Sequence, residues 1–314
     1  MSSNITNVAV IGTGVIGSGW IIRTLAHNKK VTAFDKDQKQ EKKLIKEIKR
    51  TWPFVKKLFN KKKLNLGNFK FVNSIEEALT DADFIQECAT ENYAIKTKLM
   101  STIGKYSKPN AIISSSSSGL LPTRIYSKCK NPARTMIGHP FNPVYMCPGV
   151  EIVPGKKTKK KFLNRANKFY KSISMNPIMV KKELPGYLAD RLQEALWREA
   201  LHIVNEGYAS TKDLDRAIED GPGLRWSLMG IFLTYHLAGG KAGMKHMLEQ
   251  FGPALKLPWT KLKAPKLSKK LSSRVIAGTK QQAKGKSVAM ISNIRDEYLV
   301  NLQKLRKRYE NKVR

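Results

Sequence analysis

Apolar residues fall into two alternating patterns along the chain. Short runs of strand length, rich in valine, isoleucine and phenylalanine, recur at residues 8–11, 30–34, 69–72, 83–88, 111–113, 134–139, 150–153 and 178–180. Between them, residues 16–27, 38–59, 75–79, 94–106 and 157–172 carry helical spacing, with Pro53 predicted to bend or interrupt the second of these helices. Strand and helix in alternation predict an α/β domain built on a doubly wound parallel sheet with right-handed crossovers.

Beyond Leu184-Pro185-Gly186 the period changes. Residues 187–205 place Leu188, Leu192, Ala195, Leu196 and Ile203 on one helical face, with Gly207 as a C-terminal stop. Helices are also predicted over 211–219, 226–237, 241–251 and from about 291 onward, while Pro258, Pro265 and many lysines predict an irregular connection over 256–286. The expected organisation is a sheet domain over residues 1–184 followed by an all-helical C-terminal domain over 185–314.

The seam between the first predicted strand and helix reads Gly12-Thr13-Gly14-Val15-Ile16-Gly17. A dinucleotide pyrophosphate needs such a turn. Gly12 allows the tight bend, Gly14 lets the backbone come close without a Cβ in the way, and Gly17 lets the helix pack closely on the sheet. The loop, with Thr13, Val15 and Ile16, then presents the free N–H groups and partial positive charge of a helix start to the phosphates. Glycine-rich turns also occur in unrelated loops, so the second strand matters. It ends in Asp35, roughly twenty residues beyond Gly12, where a carboxylate accepts from the adenosine ribose hydroxyls and repels a 2′-phosphate. Together these features form a Rossmann-type fingerprint and favour NAD over NADP, with the neighbouring Lys36 working against that preference.

In such sheets ligands collect at the carboxyl ends of strands. Glu91 and Asn92 follow one strand end, the serines 114–118 follow another, and His139 closes a third inside His139-Pro140-Phe141-Asn142-Pro143. Oxidising an alcohol by hydride removal needs a base for the hydroxyl proton, a role that suits histidine. Among the five histidines, His27 falls at a helix end, and His202, His236 and His246 lie in the helical half with no paired acid evident. Glu151, in the next strand region, can lie beside His139 and hold its ring. From local sequence alone His139 also reads as a turn histidine, and Glu151 as a surface carboxylate.

Composition narrows the picture. A length of 314 residues suggests about two domains, and 41% hydrophobic residues suffice for a sizeable core. The formal net charge of +34 raises nucleic-acid binding as a function class. Lysines are dispersed over nearly every predicted helix face, loop and tail, however, which predicts salt-sensitive adhesion to polyanions and no specific nucleic-acid partner. Three cysteines without a CxxC pair indicate neither a zinc site nor a disulfide framework, so a reducing, cytoplasmic setting is expected. No metal site is expected. The run from Val8 lacks a basic flank and is interrupted by glycines, unlike a signal segment, and no stretch has the ~18 unbroken apolar residues of a membrane span.

The GTGVIG turn with Asp35, the serine loop ending at Ser118, GHPFNP, Val150-Glu151-Ile152-Val153 and Pro185-Gly186-Tyr187 together resemble the 3-hydroxyacyl-CoA dehydrogenase superfamily in order and spacing over almost the whole chain. Within the helical half, ALWREALHIVNEG, GPGLRWSLMG, FLTYHLAGG and LEQFGPALKLPWTKL are similar to the branch that acts on L-carnitine. The resemblance implies an NAD-dependent dehydrogenase and a homodimer. It implies His139 as general base, Glu151 as its partner, and Ser118 as a hydrogen-bonding group for the reacting oxygen. Asp190 stands where the superfamily has an asparagine; a carboxylate there can favour a cationic substrate, tune His139, or act only as a first-turn acid of its helix. A trimethylammonium group cannot donate an N–H hydrogen bond, so aromatic faces at Tyr187, Trp197, Trp226, Phe232 or Tyr235 are its candidate partners, and Arg191, Arg198 or Arg225 those of the carboxylate. Two other readings stay open: oxidation of another 3-hydroxy acid or 3-hydroxyacyl-CoA, and a basic nucleic-acid-binding protein with an unused Rossmann domain.

Overall fold

The computed structural model describes residues 5–313 except 62, 229, 262 and 264–267, so Met229, Leu262 and Pro265 of the stretches above lie outside the described residues. The chain divides into two compact units, Met1–Arg191 and Leu192–Arg314.

The first unit is the α/β domain. Its strands are β1 (Asn7–Ile11), β2 (Lys30–Phe34), β3 (Phe69–Val72), β4 (Phe84–Glu87), β5 (Ile112–Ser115), β6 (Thr135–Pro140), β7 (Gly149–Pro154) and β8 (Asn176–Met179). The helices between them are α1 (Val15–Ala26), α2 (Gln40–Phe59), α3 (Ile75–Thr80), α4 (Tyr93–Tyr106), α5 (Pro122–Ile125) and α6 (Lys160–Ser172). The sheet order is β3-β2-β1-β4-β5-β6-β7-β8. Strand order reverses between β1 and β4, which opens the crevice where such sheets bind ligands. From β3 to β6 all pairs are parallel, whereas β7 runs antiparallel to β6, with His139 opposite Glu151 in register.

Alternation along the central strands explains the two-sided core. Ala9, Ile11, Ile85, Ile113, Ile137 and Val153 join Leu79, Met100, Ile103 and Ile125 of α3, α4 and α5 in one buried cluster. The intervening residue Phe84 points the other way and stacks on Phe169 of α6, with ring centroids 4.1 Å apart. Arg23 of α1 is fully buried and donates to the carbonyls of Val144, Ile173, Ser174 and Cys147, tying the helix to the segments that follow β6 and α6.

The helix α2 continues through Pro53, so the proline does not interrupt it. Pro53 is exposed, so the carbonyl that loses its partner one turn earlier can turn to solvent, and Leu44, Ile48, Thr51, Val55 and Leu58 continue one buried stripe past it.

After the turn at 186–188 the chain enters α7 (Ala189–Glu206). The second unit contains α8 (Thr211–Glu219), α9 (Pro222–Trp226), α10 (Ile231–Ala238), α11 (Gly243–Phe251), α12 (Lys269–Ala283) and α13 (Val288–Val313). Two sequence expectations need correction here. The helix predicted over 226–237 begins only at Ile231, because Gly230 is an extended N-cap residue of α10, and Trp226 instead closes α9. The connection predicted as irregular contains α12: between Pro265 and Gly285 the sequence has no breaker except Gly278, so lysine content alone did not prevent a helix.

Candidate active site

The glycine turn after β1 adopts the conformation its sequence demands. Gly12 has φ of +93°, and a Cβ there would stand 2.8 Å from the Cys88 carbonyl oxygen; a Cβ on Gly17 would stand 1.9 Å from the Gly12 oxygen. At Gly14, by contrast, a Cβ would meet no protein atom within 4 Å. That glycine therefore keeps open a space that the fold itself does not fill, as close approach of a diphosphate requires. The N-cap residue Gly14 provides no side-chain bond to the start of α1, so it leaves the first-turn N–H groups uncapped.

Asp35 at the end of β2 is bound to the same turn. Its Oδ2 accepts from Thr13 N at 2.7 Å and Thr13 Oγ1 at 3.0 Å, while Oδ1 accepts from Asp37 N at 3.1 Å. A cavity of about 610 Å³ opens beside it, lined by Gly12, Gly14 and Asp35 together with Ile75, Ile95 and Leu99. Lys36 and Lys98 also line it. Apolar walls, a carboxylate and a helix N-terminus suit an adenosine diphosphate half, and the volume lies within the ~300–1,000 Å³ of ordinary ligand pockets. Cys88 lines the cavity as well; burial pushes its thiol up to about 12, leaving it a neutral wall.

Next along the sheet edge, the ends of β4 and β5 are cross-linked by charge. Lys96 Nζ, almost fully buried, lies 2.8 and 3.0 Å from the two oxygens of buried Glu87 and 3.4 Å from Glu91 Oε2. Glu87 also accepts from Ser115 Oγ at 2.5 Å and Ala89 N at 2.6 Å, so every partner a desolvated carboxylate needs is supplied. The other oxygen of Glu91 accepts from Ser117 Oγ at 2.5 Å, Ser118 N at 3.0 Å and Gly119 N at 3.3 Å. These bonds hold the serine segment as a shaped loop, with Ser118 exposed at its turn.

The antiparallel β6–β7 pairing builds the third part of the site. His139 Nδ1 lies 2.7 Å from Glu151 Oε2, while Glu151 Oε1 accepts from the backbone N–H groups of Leu188 at 2.9 Å and Ala189 at 3.1 Å. A carboxylate only accepts, so this contact assigns the proton to Nδ1 and the lone pair to Nε2. Asp190 Oδ2 stands 3.8 Å from Nε2, beyond hydrogen-bond distance. The Phe141 and Tyr187 rings flank the imidazole at centroid distances of 5.5 and 5.6 Å. This arrangement can take a proton from a hydroxyl presented at Nε2 and stabilise the resulting imidazolium through Glu151.

Of the residues singled out in the sequence, His139, Glu151 and Asp190 come together, and Gly12, Gly14 and Asp35 share the cavity; Thr13 acts on Asp35, and Val15, Ile16 and Gly17 form the start of α1. Tyr187, a candidate for the ammonium group, is fully buried with its hydroxyl on the Leu120 carbonyl at 2.6 Å. Sequence reasoning missed Ile75, Ile95, Lys98 and Leu99 as cavity walls and Lys96 as the buried counter-charge. Ile95 to Leu99 follow the strand end that carries Glu91, so the strand-end rule could have pointed to them; no local signal marked Lys96 among the many lysines.

A Rossmann-type sheet, a cavity suited to an adenosine diphosphate half and a buried His–Glu pair on adjacent strands define a nicotinamide-dependent dehydrogenase. Residues 7–184 match the family described as "3-hydroxyacyl-CoA dehydrogenase, NAD binding domain", and residues 186–287 match "3-hydroxyacyl-CoA dehydrogenase, C-terminal domain". The chain is 50% identical over 295 residues to a protein of Oceanobacillus iheyensis named L-carnitine dehydrogenase, covering 94% of this chain and 96% of the relative. It is 49% identical over 298 residues to one of the same name from Pseudomonas putida, covering 95% and 93%. In fold it is similar to the crystal structure of an NAD+-dependent 5-formyl-3-hydroxy-2-methylpyridine 4-carboxylic acid 5-dehydrogenase, with a TM-score of 0.81 at 22% identity over 97% of this chain and 99% of the other. The chain belongs to the 3-hydroxyacyl-CoA dehydrogenase family, and its cofactor is NAD.

Proposed function

We propose that the protein oxidises the 3-hydroxyl of L-carnitine to 3-dehydrocarnitine. The substrate assignment is supported by the relatives of that name. The mechanism rests on the 2.7 Å contact between His139 Nδ1 and Glu151 Oε2, which leaves Nε2 as the base. When bound, NAD supplies the acceptor for the hydride on C3. Gly12, Thr13, Gly14, Val15, Ile16 and Gly17 hold its diphosphate and Asp35 its adenosine ribose. His139 takes the hydroxyl proton as the C3–H bond breaks, Glu151 stabilises the imidazolium, and Ser118 hydrogen-bonds the reacting oxygen. Asp190, on the Nε2 side, adds negative charge where a cationic substrate enters.

Residues 1–184 form the NAD-binding domain in this reading, and residues 185–314 serve substrate binding and homodimerisation. Large exposed apolar side chains in the helical unit, among them Leu224, Phe232, Leu255 and Trp259, support burial against a second copy. Free thiols at Cys88, Cys129 and Cys147 support a cytoplasmic setting. Among the described residues no helix is long and apolar enough to cross a membrane.

The test is NADH formation with L-carnitine, D-carnitine, 3-hydroxybutyrate and 3-hydroxybutyryl-CoA at fixed NAD. Turnover of L-carnitine with little from its enantiomer is expected. Fast oxidation of the acyl-CoA and none of L-carnitine would overturn the substrate assignment.

A further inference from the structure

Four consecutive residues, 186–189, make four hydrogen bonds that reach two different parts of the site. On one side, Gly186 N donates to the Gly119 carbonyl at 3.4 Å and Tyr187 OH donates to the Leu120 carbonyl at 2.6 Å, both on the loop that carries Ser118. On the other, Leu188 N and Ala189 N donate to Glu151 Oε1, the carboxylate that holds His139. We propose that this turn sets the serine loop against the His139–Glu151 pair, with Tyr187 as the positioning residue. The inference rests on the reading above, in which Ser118 and His139 act on one oxygen.

Backbone geometry supports it independently. Gly186 and Tyr187 have φ of +71° and +43°. Two left-handed residues in succession turn the chain just before α7, where the free N–H groups of Leu188 and Ala189 meet one carboxylate. Glycine adopts this region freely; tyrosine does so at a cost that the surroundings must offset. Among the described residues six non-glycines have positive φ, three of them asparagines, the type that tolerates it best; Tyr187 is the one aromatic residue in the set. It is fully buried, its ring lies against the imidazole, and burial holds its phenol far above the usual range, so it remains a hydrogen-bond donor.

Tyr187→Phe keeps the ring and removes only the bond to the loop. Its kcat for L-carnitine is expected to fall about tenfold or more, a loss consistent with ångström-scale misplacement of a reacting group. Its Kd for NAD should stay within about twofold of the parent, because the dinucleotide cavity has no part in the turn. If the hydroxyl acts through the loop, Tyr187→Phe should cost nothing further on a Ser118→Ala background, whereas a merely structural role would leave kcat per folded molecule unchanged. Gly186→Ala, which strains the same turn without touching the hydroxyl, should show the same non-additivity and serves should the first variant fold poorly. A kcat within twofold of the parent in a folded Tyr187→Phe protein, or a full-sized loss repeated on the Ser118→Ala background, would overturn the proposal. Normal activity of Ser118→Ala alone would remove the serine from the reaction and this proposal with it.

Discussion

Glu151→Gln removes one charge with almost no change in shape, and the surroundings dictate how the amide must sit. Two backbone N–H groups, of Leu188 and Ala189, point at one oxygen, so the amide oxygen must take that place and its NH₂ must face His139 Nδ1. A donor there forces Nδ1 to accept, which moves the ring proton to Nε2 and removes the lone pair that would receive the substrate proton. The same tautomer reversal in a serine-protease triad costs about 10⁴ in kcat. We expect kcat to fall by ~10³–10⁴, or about 4–5.5 kcal/mol of transition-state stabilisation. Stability should drop by only ~1–3 kcal/mol, since all the partners stay hydrogen-bonded but lose charge assistance. The assay is steady-state NADH formation with L-carnitine, accompanied by the Kd for NAD and a urea melt. Activity of Glu151→Gln within tenfold of the parent would refute the base assignment and its tautomer.

Gly14→Ala should fold normally yet bind NAD at least ~10-fold more weakly, because its methyl enters space left open by the protein; Gly12→Ala should lower stability by ~1–3 kcal/mol through strain at φ +93°. Titration calorimetry with NAD and thermal melts separate the two outcomes. Lys96→Met should destabilise the chain by ~3–5 kcal/mol in urea unfolding, since it strands the buried Glu87 carboxylate; a loss below 1 kcal/mol would mean the pair contributes little. Burial holds the His27 imidazole at about 4, below its ordinary 6.5, so between these values the unfolded chain binds a proton that the folded one excludes. Stability present above pH 6.5 is therefore lost as pH falls through 4, by ~1–2 kcal/mol after allowance for partial solvent access, and His27→Gln should flatten that slope in pH-dependent unfolding.

Much of the fold was legible along the chain because its signals are local. Buried central strands need runs such as Val8-Ala9-Val10-Ile11, and a dinucleotide turn needs glycine where φ is positive or a neighbouring backbone is close, so β1, the turn and α1 were readable within a residue or two. The same locality made His139 stand out at a strand end. Local signals also misled: Pro53 reads as an interruption until its exposure is known, and dense lysine over 256–286 masked α12, because charge opposes burial and does not oppose helix formation.

The partners were decided only in three dimensions. His139 meets Glu151 because β7 turns back antiparallel in one particular register, and a shift of one residue would point Glu151 to the opposite face. Lys96 became the counter-charge of Glu87, and Tyr187 the tether of the serine loop, through contacts across 9 and 67 residues that depend on how helices and loops settle on the sheet. By itself the sequence determined the elements, the glycine turn and the kinds of chemical group at the strand ends, since these depend on neighbours along the chain. Tertiary structure decided which groups face one another, because hydrogen-bond distance and burial are set by strand register and the packing of distant segments.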